Sequence, residues 1–299
     1  MPHMTTEHFT LHEVVAGVWA AEADLAGASV GNATIIDAGG KTIIVDTFMT
    51  EVAARELRRV SEELTGNQVY LAINSHWHAD HTSGNQVFAD VPIVSTRETM
   101  ERLVEEMTPQ GLAAWQAEIE TSIASLQDAA DDGEKAAKQL DQLRHFKDSA
   151  DAFELTLPDL LIDGGLVVEG ERRVEIETRG KGHTVSDTVV WLPEERLVIT
   201  GDLCWNGIHP RMHDGFPGAW AEYVEAILAM DPLHVIPGHG RPGDIGALSD
   251  LPEYFRTVEI LIDEVRAGTD PTEIPAPGVS MNWEGLARLH DGLKVLADR

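Results

Sequence analysis

The feature that most constrains this chain is the stretch 74–81, which reads Asn-Ser-His-Trp-His-Ala-Asp-His and directly follows the apolar run 69–73. Within six positions it holds three imidazoles and one carboxylate, the ligand types that a borderline divalent cation such as Zn²⁺ selects. The first two histidines alternate as side chains on a strand do, whereas the aspartate and the third histidine follow after the chain has turned. A single helix face could not present all four groups. The stretch therefore predicts a strand that ends in a loop with two neighbouring metal positions.

Three further motifs follow in the second half of the chain. They are Gly182-His183-Thr184, Gly201-Asp202 after an apolar run, and Pro237-Gly238-His239-Gly240 after the short run 234–236. Each motif is weak evidence when taken alone. Together with His-x-His-x-Asp-His, and in this order, they resemble the signature of the metallo-β-lactamase-fold hydrolases. The resemblance covers roughly residues 35–240, and the ordered set is highly specific.

The resemblance implies a complete set of metal ligands. The first metal would be bound by His76, His78 and His183, the second by Asp80, His81 and His239, and Asp202 would bridge the two. The resemblance also implies that Asp80 is a catalytic residue, which orients the attacking hydroxide and shuttles its proton. The expected cofactors are two divalent metal ions, with zinc favoured and iron or manganese as the alternatives.

This ligand set predicts a type of reaction. Two ions held about 3.5–4 Å apart can share a water, lower its pKa and present hydroxide as the nucleophile. The implied function is therefore a metal-dependent hydrolase, in which a hydroxide bridging two metal ions cleaves an ester-like bond of a small molecule. The candidate bonds are a lactone, a thioester, an amide and a β-lactam. No serine or cysteine nucleophile is needed.

At three points the chain departs from the patterns of known subfamilies, and these departures narrow the choice of function. Dedicated β-lactamases of this fold carry cysteine or serine where this chain has Asp202, and acyl-homoserine lactonases carry tyrosine where it has Trp205. Glyoxalase II enzymes add a C-terminal helical domain with basic residues, whereas the segment after His239 is short and acidic. The alternative function is an oxidoreductase, because persulfide dioxygenases have a similar stretch but use one iron, held by the counterparts of His76, His183 and Asp202.

The charge balance limits the partners. The chain has 51 acidic against 22 basic residues, a formal net charge of −29, which repels phosphate backbones and anionic membrane surfaces. We therefore expect a small-molecule substrate and neither a nucleic acid nor a membrane as partner, and a homo-oligomer is left open. The single cysteine, the lack of an apolar leader at the start and the lack of a membrane-length apolar run predict a cytoplasmic protein.

Apolar runs and glycine-rich breaks predict the architecture. Strand patterns followed by helix patterns occur twice, which together with the resemblance predicts an α/β fold: an αββα sandwich of two mixed β-sheets with outer helices. We expect a single domain over residues 1–299. Three apolar stripes at helix spacing predict a helical insertion over residues 97–150, interpreted as a lid over the metal face or as a spacer or assembly surface. The predicted strands are 14–21, 33–37, 41–46, 69–74, 91–95, 165–169, 173–178, 188–192 and 196–200, and the other predicted helices are 49–64, 218–230, 251–265 and 283–297.

Several side chains near the proposed ligands are candidates for supporting roles. Trp77 and Trp205 are candidate substrate-binding residues, because aromatic rings beside metal ligands can stack on a substrate and exclude water. His209 is interpreted as a surface imidazole, with an extra acid or base as the alternative. Cys204 is interpreted as a small buried side chain. Asp46, in a Val-Asp-Thr context, is either an ordinary strand-end aspartate or a hydrogen-bond partner of a ligand imidazole.

Overall fold

The computed structural model describes residues 3–24, 27–128 and 133–299. The chain forms two compact units, the first comprising Met1–Asp163 with Gly170–Arg172 and the second Gly164–Glu169 with Arg173–Arg299. Each unit contains one mixed β-sheet and several helices. The single domain over residues 1–299 stays a prediction.

Within the described residues, the first unit has a sheet of eight strands in the order of the chain. The strands β1 to β5 run antiparallel to their neighbours, and β5 to β8 run parallel. Their bounds are β1 His3–Thr5, β2 Phe9–Val15, β3 Val18–Ala23, β4 Ala33–Asp37, β5 Thr42–Val45, β6 Val69–Ile73, β7 Ile93–Thr96 and β8 Leu160–Ile162.

The prediction of one strand over residues 14–21 is wrong, because a hairpin turn interrupts it. β2 ends at Val15 and β3 begins at Val18. Gly17 in the turn has φ +78°, a left-handed conformation that glycine adopts without steric cost. Apolar residues continue on both sides of the turn, which is why the pattern looked like one strand.

α1 (Glu51–Thr65) agrees with its predicted position, and the side chain of Thr50, just before it, accepts a hydrogen bond from the Ala53 amide. A short helix α2 (Ala79–Thr82) occupies the last part of the predicted loop 74–81. Among its described residues, the stretch 97–150 is largely helical. It consists of α3 (Arg97–Glu106), α4 (Pro109–Asp128) and α5 (Glu134–Asp151). The predicted break at 131–133 falls partly on residues 131 and 132, which lie outside the described residues.

The insertion is anchored to the body of the first unit. The hydroxyl of Ser149 in α5 accepts a hydrogen bond from the Glu51 amide at the start of α1, at 3.2 Å. The side chain of Gln142 donates one to the carbonyl of Gly27 at 3.4 Å. The stretch therefore does not hang free from its own unit.

The second unit has five strands among its described residues, in the order β13-β12-β11-β10-β9. β12 and β13 are parallel, and the other neighbours are antiparallel. The strands are β9 Gly165–Val168, β10 Val174–Gly180, β11 Asp187–Leu192, β12 Leu197–Ile199 and β13 His234–Ile236. The helices are α6 Pro217–Leu228, α7 Gly246–Ser249, α8 Leu251–Arg266 and α9 Leu286–Ala297. Throughout the described ranges of both units, no helix combines the length and the apolarity that crossing a bilayer requires.

Aromatic side chains fill the core of the second unit. Trp220 of α6 stacks on Phe255 of α8 at 4.1 Å between ring centroids. His209 belongs to this core, so its interpretation as a surface imidazole is wrong: its side chain is fully buried, and Nδ1 lies 3.0 Å from the hydroxyl of Tyr254. Burial lowers the pKa of His209 to about 4, with smaller contributions from the positive charges of His290 and Arg288.

We expect the buried imidazole of His209 to make the free energy of unfolding depend on pH. Its pKa is about 4 in the folded chain and near the ordinary value of 6.5 in the unfolded chain, so only the unfolded chain takes up a proton between these values. The stability contributed by the neutral imidazole is complete above pH 6.5. It falls as the pH drops towards 4, by on the order of 3 kcal/mol.

Urea unfolding at several pH values tests this expectation. The His209→Gln variant should lose less stability than the wild type between pH 7 and pH 4, a range that brackets both pKa values. The half-buried His234 offers a control, since His234→Gln should keep the pH dependence of the wild type. Parallel curves for the wild type and His209→Gln would contradict the assignment.

Candidate metal centre

In the first unit, the proposed ligands lie where two parallel strands end side by side. Val45 at the end of β5 pairs with Ile73 at the end of β6. Since the carboxyl ends of parallel strands lie at one edge of a sheet, Asp46 comes next to the loop that follows β6. That loop carries His76 and His78 and leads into α2, which carries the other two proposed ligands.

The proposed ligands of the first unit bring donor atoms together in pairs. Nε2 of His76 lies 3.1 Å from Nδ1 of His78, and Nε2 of His81 lies 3.6 Å from Oδ2 of Asp80. His76 and His81 are buried, and His78 and Asp80 are half-buried. The structure therefore places all four side chains of the motif at one edge of the sheet.

Asp46 fixes the orientation of these imidazoles. Its Oδ2 lies 2.8 Å from Nδ1 of His81 and accepts a hydrogen bond of 2.7 Å from the hydroxyl of Ser75. That hydroxyl lies 3.0 Å from Nδ1 of His76. An imidazole whose Nδ1 faces a carboxylate keeps its proton there and presents Nε2 to a metal. The hydrogen bond expected of Asp46 is confirmed, and Ser75 is a residue that the sequence did not single out.

A glycine permits the close approach of a neighbouring loop. A Cβ atom at Gly31 would lie 2.7 Å from Nε2 of His81 and 2.9 Å from the carbonyl oxygen of Asp80. Both distances are shorter than van der Waals contact, so any other residue would displace the ligand. Gly31 therefore shapes the surroundings of His81.

In the second unit, three connections bring their ligands to one edge of the sheet. β12 and β13 are parallel and end at the paired residues Ile199 and Ile236, and Asp202 and His239 follow these ends three residues later. β11 runs antiparallel to β12, so its beginning lies beside the end of β12. The turn before β11 carries His183.

One oxygen atom of Asp202 lies between two imidazoles. Its Oδ2 is 3.2 Å from Nε2 of His183 and 3.4 Å from Nε2 of His239. The aspartate is almost fully buried. A Cβ atom at Gly238 would overlap with the Asp202 carboxylate, which explains why the residue before His239 has no side chain. The position of this carboxylate is thus set by packing on both sides.

Asp187 holds the turn that carries His183. Its carboxylate accepts hydrogen bonds from the amide of Thr184 at 2.9 Å and from the Thr184 hydroxyl at 3.0 Å. Burial raises the pKa of Asp187 to about 7, and the hydrogen bonds from Thr184 act in the opposite direction. The Thr-x-x-Asp spacing therefore serves to position the histidine before it.

The donor atoms fit divalent metal ions. Nitrogen and oxygen ligands at about 2.0–2.2 Å from a tetrahedral ion lie about 3.3 Å from one another. The donor pairs within the two units are separated by 3.1, 3.6, 3.2 and 3.4 Å. Imidazole nitrogen and carboxylate oxygen are also the donor types that suit zinc, iron or manganese. Both halves of the predicted ligand set therefore have the chemistry and the spacing of a metal site.

The two tryptophans proposed to bind substrate lie against histidines that are proposed metal ligands. Trp77 meets His78 edge to face at 4.4 Å, and Trp205 stacks on His239 at 3.7 Å with 24° between the ring planes. Both are largely buried. Cys204 is fully buried, as expected, and its thiol donates to the carbonyl of Ala247 at 3.4 Å. Burial raises the pKa of this thiol above its ordinary value, which disfavours the thiolate.

Comparisons with known proteins place the chain in a family. The family described as the metallo-beta-lactamase superfamily matches residues 26–239. A metallo-beta-lactamase type 2 from Bacillus cereus is 33% identical over 84 residues, which are 26% of this chain and 33% of that protein. The match thus spans about a third of the length of this curated relative.

Solved structures show the same fold. A metallo-beta-lactamase from Pontibacter korlensis superposes with a TM-score of 0.60 at 17% identity, over 82% of this chain and 98% of that one. An inverting sec-alkylsulfatase from Pseudomonas sp. superposes with a TM-score of 0.71 at 20% identity, over 97% of this chain and 50% of that one. The αββα class predicted from the sequence is confirmed. With a family match that spans well over half of its residues, the chain belongs to the metallo-beta-lactamase superfamily.

Proposed function

We propose that the protein is a dinuclear metal-dependent hydrolase that cleaves an ester-like bond of a small molecule. The observation that carries this proposal is the position of Asp202 Oδ2, 3.2 Å from Nε2 of His183 and 3.4 Å from Nε2 of His239. One oxygen beside two separate imidazoles is the arrangement that a bridging carboxylate needs. Family membership supports metal-dependent hydrolysis in general.

The ligand assignment follows the family pattern. One ion would be held by His76, His78 and His183, the other by Asp80, His81 and His239, and Asp202 would be shared. When bound, the ions would supply Lewis acidity and lower the pKa of an attacking water. Zinc is the proposed metal, because imidazole-rich sites with carboxylates suit it, and iron or manganese would also suit these donors.

The side chains of the site have separate proposed roles. The half-buried carboxylate of Asp80 would orient the attacking water and accept its proton, since it is the more accessible of the two ligand carboxylates. The hydrogen-bonded set of Asp46 and Ser75 would hold His81 and His76 in position. Trp77 and Trp205, stacked on ligand imidazoles, would line the substrate site and exclude water.

The insertion is proposed to shape the substrate site. β7 runs parallel to β6, so its end lies at the same sheet edge as the loop that carries His76. α3 begins at Arg97, directly after β7. This topology places the start of the insertion at the ligand edge of the first unit, which favours a lid over a distant spacer.

The dinuclear hydrolase explains more of the residues than the oxidoreductase alternative. A single iron held by His76, His183 and Asp202 would leave Asp80, His81 and His239 without a role. His81 is nevertheless oriented by Asp46, and His239 lies against the shared oxygen of Asp202. A small molecule remains the proposed substrate, because the net charge of −29 opposes nucleic acid and anionic membrane surfaces.

One prediction of the proposed function concerns the metal content of the protein. We expect the purified full chain to contain close to two metal ions, most of them zinc, because seven ligands exceed the needs of one four-coordinate ion. Elemental analysis after gel filtration measures this number. One iron per chain, together with oxygen uptake on a persulfide substrate, would instead support the oxidoreductase.

Another prediction of the proposed function concerns the bridging carboxylate of Asp202. We expect Asp202→Asn, which keeps the shape but removes the charge, to lower kcat by at least about a hundredfold on any substrate that the wild type hydrolyses. Metal content should fall towards one per chain, because two dications would face each other without the shared anion. Asp231→Asn, at an exposed position of the same unit, should keep both metals and full activity. Two metals and near-native kcat in Asp202→Asn would rule out the bridge.

A further inference from the structure

In each unit, one tryptophan contacts both an arginine and a histidine that is a proposed metal ligand. In the first unit, the guanidinium of Arg102 lies 4.8 Å from the ring of Trp77, which meets His78 at 4.4 Å. In the second, the guanidinium of Arg288 lies 5.9 Å from the ring of Trp205, which stacks on His239 at 3.7 Å. Both cations therefore lie one aromatic ring away from a metal ligand.

The two arginines differ in how their charge is neutralised. The guanidinium of Arg102 forms ion pairs with Glu105 at 2.8 Å and with Glu106 at 2.6 Å. Among the described residues, the side chain of Arg288 has no hydrogen bond or ion pair. This is notable in a chain with 51 acidic residues, where most arginines have an acidic neighbour. Arg288 is also exposed, so its donors face solvent.

The surroundings of Arg288 contain further polar atoms that lack a partner. Within the described part of the chain, neither Nε1 of the buried Trp205 nor Nε2 of the buried His209 has a hydrogen-bond partner. Buried polar atoms without a partner are uncommon in native proteins and call for an explanation. The indole N–H of Trp205, like the guanidinium of Arg288, can only donate hydrogen bonds, so both groups suit an anion as partner.

We propose that Arg288 binds an oxyanion group of the substrate, a carboxylate or a sulfate, beside His239. The inference rests on the proposed function, and it adds an anionic class of substrate to it. A guanidinium presents a planar fork of donors that matches the oxygens of such groups. The net charge of −29 repels anions in general. Recognition of an anion by this chain therefore requires a local cation whose charge is not already neutralised by an acidic side chain.

Binding of three matched probes to the zinc-loaded full chain tests the proposal. Phenylacetate carries a carboxylate, phenyl sulfate a sulfate ester, and phenylacetamide has a similar shape without charge. Dissociation constants measured by NMR titration would be compared for the wild type, Arg288→Gln, Arg288→Lys and the control Arg256→Gln, at an exposed arginine of the same unit that pairs with Glu225. Direct binding of either anion to the metals is common to all four proteins and therefore cancels in the comparison.

We expect Arg288→Gln to weaken binding of at least one anion by about tenfold or more, the lower end for a hydrogen bond to a charged group. Arg288→Lys should fall between Gln and the wild type. The dissociation constants of phenylacetamide for each variant, and of the anions for Arg256→Gln, should change less than about twofold, which is smaller than the loss of a charged hydrogen bond would cause. The anion whose binding weakens more in Arg288→Gln shows whether Arg288 prefers a carboxylate or a sulfate.

Three results would overturn the proposal. These are equal anion binding by the wild type and Arg288→Gln, equal losses in Arg288→Gln and Arg256→Gln, and no anion binding by the wild type. Elemental analysis of the same samples separates this proposal from the proposed function. A wild type with one metal would contradict the dinuclear hydrolase, whereas the dependence of anion binding on Arg288 would still be measurable.

Discussion

The central constraint in the second unit is a buried carboxylate oxygen that lies beside two imidazoles. Oδ2 of Asp202 lies within 3.4 Å of two imidazole nitrogens, and the side chain is almost fully buried. A buried carboxylate is costly unless opposite charge or hydrogen bonds compensate it. The parallel pairing of β12 and β13 places the carboxylate beside His239, and the bare backbone of Gly238 leaves room for it. The fold therefore prepares a place where positive charge, from imidazolium or from metal ions, is stabilising.

Both units use hydrogen-bonded neighbours to fix the position of their proposed ligands. In the first, Asp46 and Ser75 orient His81 and His76. In the second, Asp187 holds the turn that carries His183. Ligands fixed by such neighbours lose little freedom when a metal binds, so more of the binding free energy is retained. For the proposed metal centre, these contacts favour a rigid arrangement over one that the metal itself must organise.

The charge distribution explains how a strongly acidic chain could accept an anionic substrate. A net charge of −29 opposes the approach of anions over most of the surface. Metal ions at the proposed centre would reverse the sign of the potential locally. Arg288 extends that cationic region by one tryptophan ring beyond His239, and this combination would select small molecules that carry both a cleavable bond and an oxyanion.

The sequence by itself determined the family and supplied the proposed ligands in their order, because each proposed ligand belongs to a short local motif. It also determined most helices and strands, since apolar periodicity is a local property. Only the tertiary structure decided that Ser75 and Asp46 share a hydrogen-bonded set, because their contact depends on the pairing of β5 with β6. The same holds for the burial of His209 and for the lack of an acidic partner of Arg288 among the described residues. Burial and charge pairing depend on residues distant in the chain, which no local pattern records.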